Sequence, residues 1–362
     1  MANSILGRDE LAFLETYLNT HSPTGYESTG QKVWLDYIRP FIDTYEVDNY
    51  GTVYGVINPE AEFRVVIEAH ADEISWYVSH ITSDGFIYVK RNGGSDHMIA
   101  PSKRVWLHTR EGMVPGVFGW PAIHTRRGGG KSEPTPKLSN IFVDVGAADR
   151  DEVEAMGIHV GTVLTFQDEY FLMNDKYAVG RALDNRAGGF VIAQVARLLE
   201  ERGQSLPFAL YIVNAVQEEV GLRGAQMVVD TIRPHAAIVT DVAHDTSTPM
   251  IDKKVEGEFK MGDGPIITYG PAIHNKLREH ILDTAESNDI DFQRDAASRA
   301  TGTDTDAFAY ANGGVPSALI SFPLRYMHTT VETVALTDME AAIELIYHSL
   351  VGLSPDFDFK YL

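Results

Sequence analysis

Apolar residues recur along this chain with two different periods, and the change from one to the other divides it. Residues 8–19 (RDELAFLETYLN) carry apolar positions at helical spacing and stop at the turn-rich THSPTGYE. A second helical stretch is expected from Glu27 to about Ile42, followed by strands over TVYGVIN (52–58) and FRVVIEAH (63–70). From about Glu73 to Thr165 short alternating runs take over: ISWYVSHI, GFIYVKR, RVWLHT, GMVPGVFGW and TVLTF, punctuated by Gly and Pro. That texture predicts a small all-β domain or barrel with one helix, over 149–156. The charged, Gly/Pro-rich stretch RRGGGKSEPTP (126–136) is expected to be a mobile loop.

After about Asp168 strands and helices alternate again. GGFVIAQVARLLEER (188–202), LRGAQMVVDTI, NKLREHILDTAESND and TDMEAAIELIYHSLVGL read as helices. PFALYIVNAV, HAAIVTDV (235–242) and VPSALISFP (315–323) read as buried strands. Apolar strands separated by helices predict an α/β domain, its mixed, mostly parallel sheet covered by helices on both faces. The expected organisation is therefore residues 1–72 plus 166–362 as one α/β domain, interrupted by a β-barrel-like insertion over 73–165.

Composition narrows the chemistry. The 362 residues suit two domains, and a chain that is 44% hydrophobic and 22% charged suits a soluble globular protein with a sizeable core. There is no cysteine, which excludes disulfides, thiolate metal sites and cysteine nucleophiles, so any metal site must use His, Asp and Glu. A formal net charge of −21 disfavours nonspecific binding to nucleic acid or an anionic membrane. The opening MANSILGRDELAFLETYL lacks a basic segment followed by an apolar core, so no signal peptide is expected. The apolar stretches are of strand length, short of the roughly 20 residues a spanning helix needs. A cytoplasmic location is the expectation.

Potential ligands cluster where predicted strands end. FRVVIEAHAD ends in His70 and Asp72, PFALYIVNAVQEE in Glu218 and Glu219, and HAAIVTDV in Asp241. In open α/β sheets ligands bind beyond the carboxyl ends of strands. GRALDNRAGG puts Asp184 in a glycine-flanked loop before a helix, and LRYMHTTVE puts His328 shortly after a strand. Two His and several carboxylates on one edge suit a two-zinc or two-cobalt site. Such a pair, roughly 3.5–4 Å apart, needs a bridging ligand, for which a carboxylate with two oxygens is apt. Activating a water between the metals also needs a base that is not a ligand, and adjacent glutamates can divide the two roles.

Taken singly, each residue has an ordinary reading. Glu218 and Glu219 fit a solvated corner, Asp241 a helix cap or turn, LDNR a turn, and a lone His is usually no ligand. It is the shared placement that points to a metal hydrolase. Other motifs fall away. GGGKS (128–132) has Thr125 where a phosphate-binding loop needs Gly, ATGTDTDAFA (300–309) is no dinucleotide fingerprint, and no serine lies in a G-x-S-x-G elbow. Of the remaining histidines, His124 and His244 are kept in view.

SPTGYE (22–27), AHADEI (69–74), GRALDNRAGG (180–189), VQEEVGLRGA (216–225), DVAHD (241–245), GTDTDA (302–307) and RYMHTTVE (325–332), in this order, make the chain resemble a family of metal-dependent aminopeptidases. That family includes glutamyl aminopeptidase, the tetrahedral (TET) aminopeptidases and proteins once labelled cellulase M. The similarity runs through nearly the whole chain, including IFVDVGAADRDEVEAMGIHVGTVLTF (141–166). The resemblance implies that Asp184 bridges two divalent ions, zinc or cobalt. It implies that Glu219 and His328 complete one site, and His70 and Asp241 the other. Glu218 would be the general base acting on a water that bridges the metals, and Asp72 would orient His70 and fix its tautomer. It further implies peptide substrates with a free N-terminus and a homo-oligomer, from dimer to dodecamer, with the β domain contributing contacts. The family more commonly reads HMDEIG, GGTDA and RYIHSPVE where this chain has HADEIS, GTDTDA and RYMHTTVE; no implied ligand is lost, but pocket shape and substrate preference do not carry over. The alternatives are another di-metal amide hydrolase (a deacylase or carboxypeptidase), a glycosidase, which would need two carboxylates flanking the bond rather than this His-containing set, or a non-catalytic binding protein on the same fold.

Overall fold

The computed structural model describes residues 4–126 and 133–362, so GGGKS and most of the 126–136 loop lie outside the described residues. The chain forms two compact units. One runs to Glu73, resumes over Tyr170–Met327 and ends with Val331–Leu362; the other holds Ile74–Glu169 and His328–Thr330.

Strands β1 (Thr44–Val47), β2 (Val53–Ile57) and β3 (Arg64–His70) belong to the first unit. The second unit holds β4 (Ser75–Ile81), β5 (Ile87–Asn92), β6 (Arg104–Thr109), β7 (Gly112–Gly119), β8 (Phe142–Asp144) and β9 (Val163–Phe166). The first unit then adds β10 (Phe171–Met173), β11 (Tyr177–Gly180), β12 (Ala209–Ala215) and β13 (Ala236–His244). It closes with β14 (Ile266–Tyr269), β15 (Gln293–Ala296), β16 (Ser317–Arg325) and β17 (Glu332–Ala335). The helices are α1 (Arg8–Asn19), α2 (Ser28–Ile38), α3 (Ile123–Arg126), α4 (Arg150–Ala155) and α5 (Leu183–Glu201). After them come α6 (Arg223–Ile232), α7 (Lys253–Glu256), α8 (Asn275–Ser287), α9 (Thr305–Ala309) and α10 (Leu336–Val351).

The first unit is an eleven-stranded mixed sheet in the order β1-β2-β12-β3-β13-β16-β17-β11-β10, with β14 and β15 branching from β16. Its centre, β12-β3-β13-β16, is parallel, and its flanks are antiparallel. Alternate residues of the central strands supply two cores. Val65, Ile67 and Ala69 of β3 pack with α1, α2, α5, α8 and α10 on one face. Val66 of β3 and Ala237 and Val239 of β13 pack with α6 and Phe308 of α9 on the other. The sheet is thus an α/β layer covered on both faces, as the alternation of strands and helices predicts.

The second unit is a closed antiparallel barrel, β4-β5-β8-β7-β6-β9, filled by Trp76, Val78, Ile81, Leu107, Phe118 and Phe166. A bulge between Val78 and His80 explains why the inward residues of β4 are spaced by two and then by three. Asp149 caps α4 by accepting from the Glu152 amide.

Two differences from the expected elements have simple causes. The second helix stops at Ile38 rather than Ile42 and continues as a 3₁₀ turn, because Pro40 has no N–H to return to the helix. Strand β1 was not expected: all four of its residues are exposed, so an edge strand carries no apolar alternation to read. Among the described residues no helix is long and apolar enough to cross a membrane.

Candidate metal centre

The site grows from the place where two central strands part. Parallel pairing joins β13 to β3 only through Ala236–Val239 against Val65–Glu68, after which β13 continues beside β16 to His244. In that register Asp241 falls opposite His70, and both side chains share the face of Val66 and Val239. So Asp241 is not the last residue of its strand, as the sequence suggested; what ends just before it is the contact with β3. The order β12-β3-β13 also makes β3 a topological switch point, since the next two parallel strands in the chain add on opposite sides of it.

Asp184 enters from the start of α5. The helix there is broken: Asp184 (φ −81°, ψ 109°) and Asn185 (φ −115°, ψ 36°) are non-helical, and the peptide between them is cis. The donor atoms of His70, Asp184 and Asp241 all lie within 4.8 Å of one another, and all three residues are buried. From His70 Nε2 the distances are 3.3 Å to Asp184 Oδ1, 3.8 Å to Glu218 Oε2 and 4.0 Å to Asp241 Oδ1. Asp241 Oδ1 is held by the Val242 amide at 2.7 Å.

Glu218 and Glu219 open a short 3₁₀ turn after β12, reached through Gln217 in the left-handed region (φ +58°). Asp72 pins this turn. Its Oδ1 accepts from the Glu218 amide at 2.9 Å, and its Oδ2 accepts from the Glu219 amide at 3.3 Å and from Thr24 Oγ1 at 2.9 Å. The same carboxylate lies 3.4 Å from His70 Nδ1. One buried aspartate therefore ties the imidazole to the pair of glutamates. His328 lies in the loop between β16 and β17 with φ +61°, flanked in the chain by residues of the sheet unit. Its ring occupies the space a side chain at Gly94 would fill. His124 and His244 are exposed and belong to neither group of potential metal ligands among the described residues.

The electrostatics follow from crowding acids into a dry place. Burial pushes the Glu218 carboxyl up to about 10; His70 pulls against this, and Asp241, Asp304 and Glu219 add to it. Asp241 is raised well above the usual carboxylate range, first by burial and, against the pull of His70, by Asp184. For His70, burial lowers the pKa, but Glu218, Asp184 and Asp72 outweigh it and hold the imidazole well above its ordinary value. A single imidazolium cannot balance this many carboxylates, and a nitrogen-and-oxygen donor set of this kind is what zinc or cobalt accepts.

Sequence reasoning missed several residues. Glu68 and Asp304 are fully buried near His70, with burial raising both and taking Glu68 to about 8. Glu73, Arg181, Asn185, Arg186 and Glu332 are also buried, and Glu332 Oε2 accepts from the Asp184 amide. Their signal was to stand inside the motifs AHADEI, GRALDNRAGG, GTDTDA and RYMHTTVE, except for Glu68, which lies just before the first of them.

The chain is similar to known proteins along nearly its whole length. The model of the M42 glutamyl aminopeptidase family matches residues 51–345. A lysyl aminopeptidase from Pyrococcus furiosus is 32% identical over 333 residues, covering 92% of this chain and 94% of that protein. The structure of a TET aminopeptidase from a marine-sediment Thaumarchaeota archaeon superposes with a TM-score of 0.91 at 28% identity, over 96% of this chain and 98% of that one. The TET1 peptidase of Pyrococcus horikoshii, described as assembling into a tetrahedron or a large octahedral shell, gives a TM-score of 0.83 at 26% identity, over 95% and 100% of the two chains.

Proposed function

The chain belongs to the M42 glutamyl aminopeptidase family of metal-dependent hydrolases of peptide bonds, and from that premise we propose that it removes N-terminal residues from short peptides at a site for two divalent ions, zinc or cobalt. The observation that carries this reading is the convergence of His70, Asp184 and Asp241 where β3 and β13 part. Following the family resemblance, His70 and Asp241 would hold one ion, Glu219 and His328 the other, with Asp184 shared.

When bound, the ions supply an acidified water and polarise the scissile carbonyl. Glu218 takes the proton of the attacking water and delivers it to the departing amine. Its carboxyl is raised by burial, and a divalent ion held beside it would favour the ionised form. Asp72 keeps the base and His70 in register by gripping the Glu218 amide and lying against Nδ1. Assembly of the Pyrococcus horikoshii relative supports a homo-oligomer here, with the barrel unit contributing contacts, and a cytoplasmic setting completes the reading.

Replacing Glu218 with Gln keeps the shape and removes the base. The expected outcome is two bound ions and a kcat on aminoacyl anilides lowered about 10²- to 10⁴-fold. Near-normal turnover with both ions in place would remove Glu218 from the mechanism.

A further inference from the structure

A carboxylate shared by two ions must be placed more strictly than one that serves a single ion, because an error in its position is felt at both. The backbone around Asp184 is irregular and supplies no helical register of its own. The residues on either side of Asp184 instead grip separate ligand-bearing segments. Asn185 Nδ2 donates to the Thr240 carbonyl at 2.7 Å, one residue before Asp241. The Asp184 amide donates to Glu332 Oε2 at 3.1 Å, on the strand that follows the His328 loop. Arg181 pairs with Glu73, three residues after His70, and Arg186 Nη1 lies 3.8 Å from the other oxygen of that carboxylate. Glu73 also accepts from the Ser22 amide at 2.6 Å, and Arg186 donates to the Tyr17 and Thr20 carbonyls. Gly188 donates to Asn185 Oδ1 at 3.1 Å, and a Cβ at Gly188 would collide with that amide.

These groups are almost wholly buried: Glu73 2%, Arg181 5%, Asn185 1%, Arg186 0% and Glu332 2% exposed. Buried ion pairs are costly to desolvate and are weak evidence for stability. What their arrangement does is tie one loop to three places at once. Resting on the two-ion reading above, we propose that Asn185, Glu332 and the Arg181–Glu73–Arg186 cluster are positioning residues that set the Asp184 carboxylate for both ions.

The test is calorimetric titration of zinc into the chelator-treated full chain, for wild type, Asn185→Ala, Glu332→Ala and Glu332→Gln. Melting of each apo protein serves as a control for folding. Wild type takes up two ions. Asn185→Ala and Glu332→Ala melt cooperatively, and both of their binding steps are weakened about 10- to 100-fold. Glu332→Gln, which still offers an oxygen to the Asp184 amide, binds close to wild type. Wild-type affinity in both alanine variants overturns the brace while leaving the two-ion reading intact. Weakening of one step only, or a glutamine variant as weak as the alanine, also overturns it. A wild type that takes up no zinc overturns the two-ion reading itself. Should Glu332→Ala not fold, Asn185→Ala decides by the same two binding steps.

Discussion

Two adjacent glutamates at the end of a buried strand look equivalent in the sequence, and the structure makes them different. Glu218 points its Oε2 to within 3.8 Å of His70, while the amides of both residues hang on Asp72. The assignment of Glu218 as base and Glu219 as ligand comes from the family resemblance and is part of the proposal. A comparable assignment can be tested at Gly94. A Cβ there would fall on the His328 imidazole, so the ring must move. Gly94→Ala should weaken binding of one ion and leave the other, with the melting temperature of the apo protein little changed; equal binding of both ions would show that the ring has room to spare. The positions of His70 and the two glutamates at the ends of apolar strand runs were legible; that Asp241 sits inside its strand, which runs on to His244, was not. Gly94 and Glu332 were not, because neither a glycine nor a lone acid says what lies opposite it.

Long elements with a buried apolar face were readable; the four-residue strands β11, β14 and β17, buried but too short to show a period, were not. The spans of α1 and α8 and the cores of β3 and β12 follow the hydrophobic period closely. The short strands β10 and β15 and the exposed β1 escaped because pairing, not burial, defines them. The start of α10 shows a second kind of illegibility. Asp338 in its first turn looks like an ordinary helix-start acid, yet burial raises its pKa to about 6, even though the Gly262 and Gly264 amides donate to it. Because the folded value lies above the unfolded one, near 3.8, its contribution to stability is fully present below about pH 4 and lost as pH rises through about 6. Between pH 4 and 7 wild type should lose about 2 kcal/mol relative to Asp338→Asn, a difference read from denaturant melts at both pH values. Parallel pH profiles for the two proteins would contradict it. At the start of α5 the small residue matters more than the charge. Gly188→Ala drives a methyl into Asn185 Oδ1 and should cost about 1–3 kcal/mol in the same melts. No loss of stability would mean that Asn185 can yield.

For the molecule as a whole, the division into a sheet unit and a barrel was visible as a change of period. The return of three residues, His328–Thr330, to the barrel unit was not, since no pattern marks so short a segment. If the chain assembles as proposed, light scattering in physiological salt should give a mass at least twice the 40.1 kDa of one chain; a monomer across micromolar concentrations would remove the oligomer from the account. The central claim is chemical and has a more direct test. Chelator-treated enzyme is titrated with zinc or cobalt while hydrolysis of a short peptide and of its N-acetylated twin is followed. The account predicts no turnover without metal, full turnover as the ratio approaches two ions per chain, and cleavage of the free peptide alone. Turnover that ignores the chelator, or equal cleavage of the acetylated peptide, would contradict it.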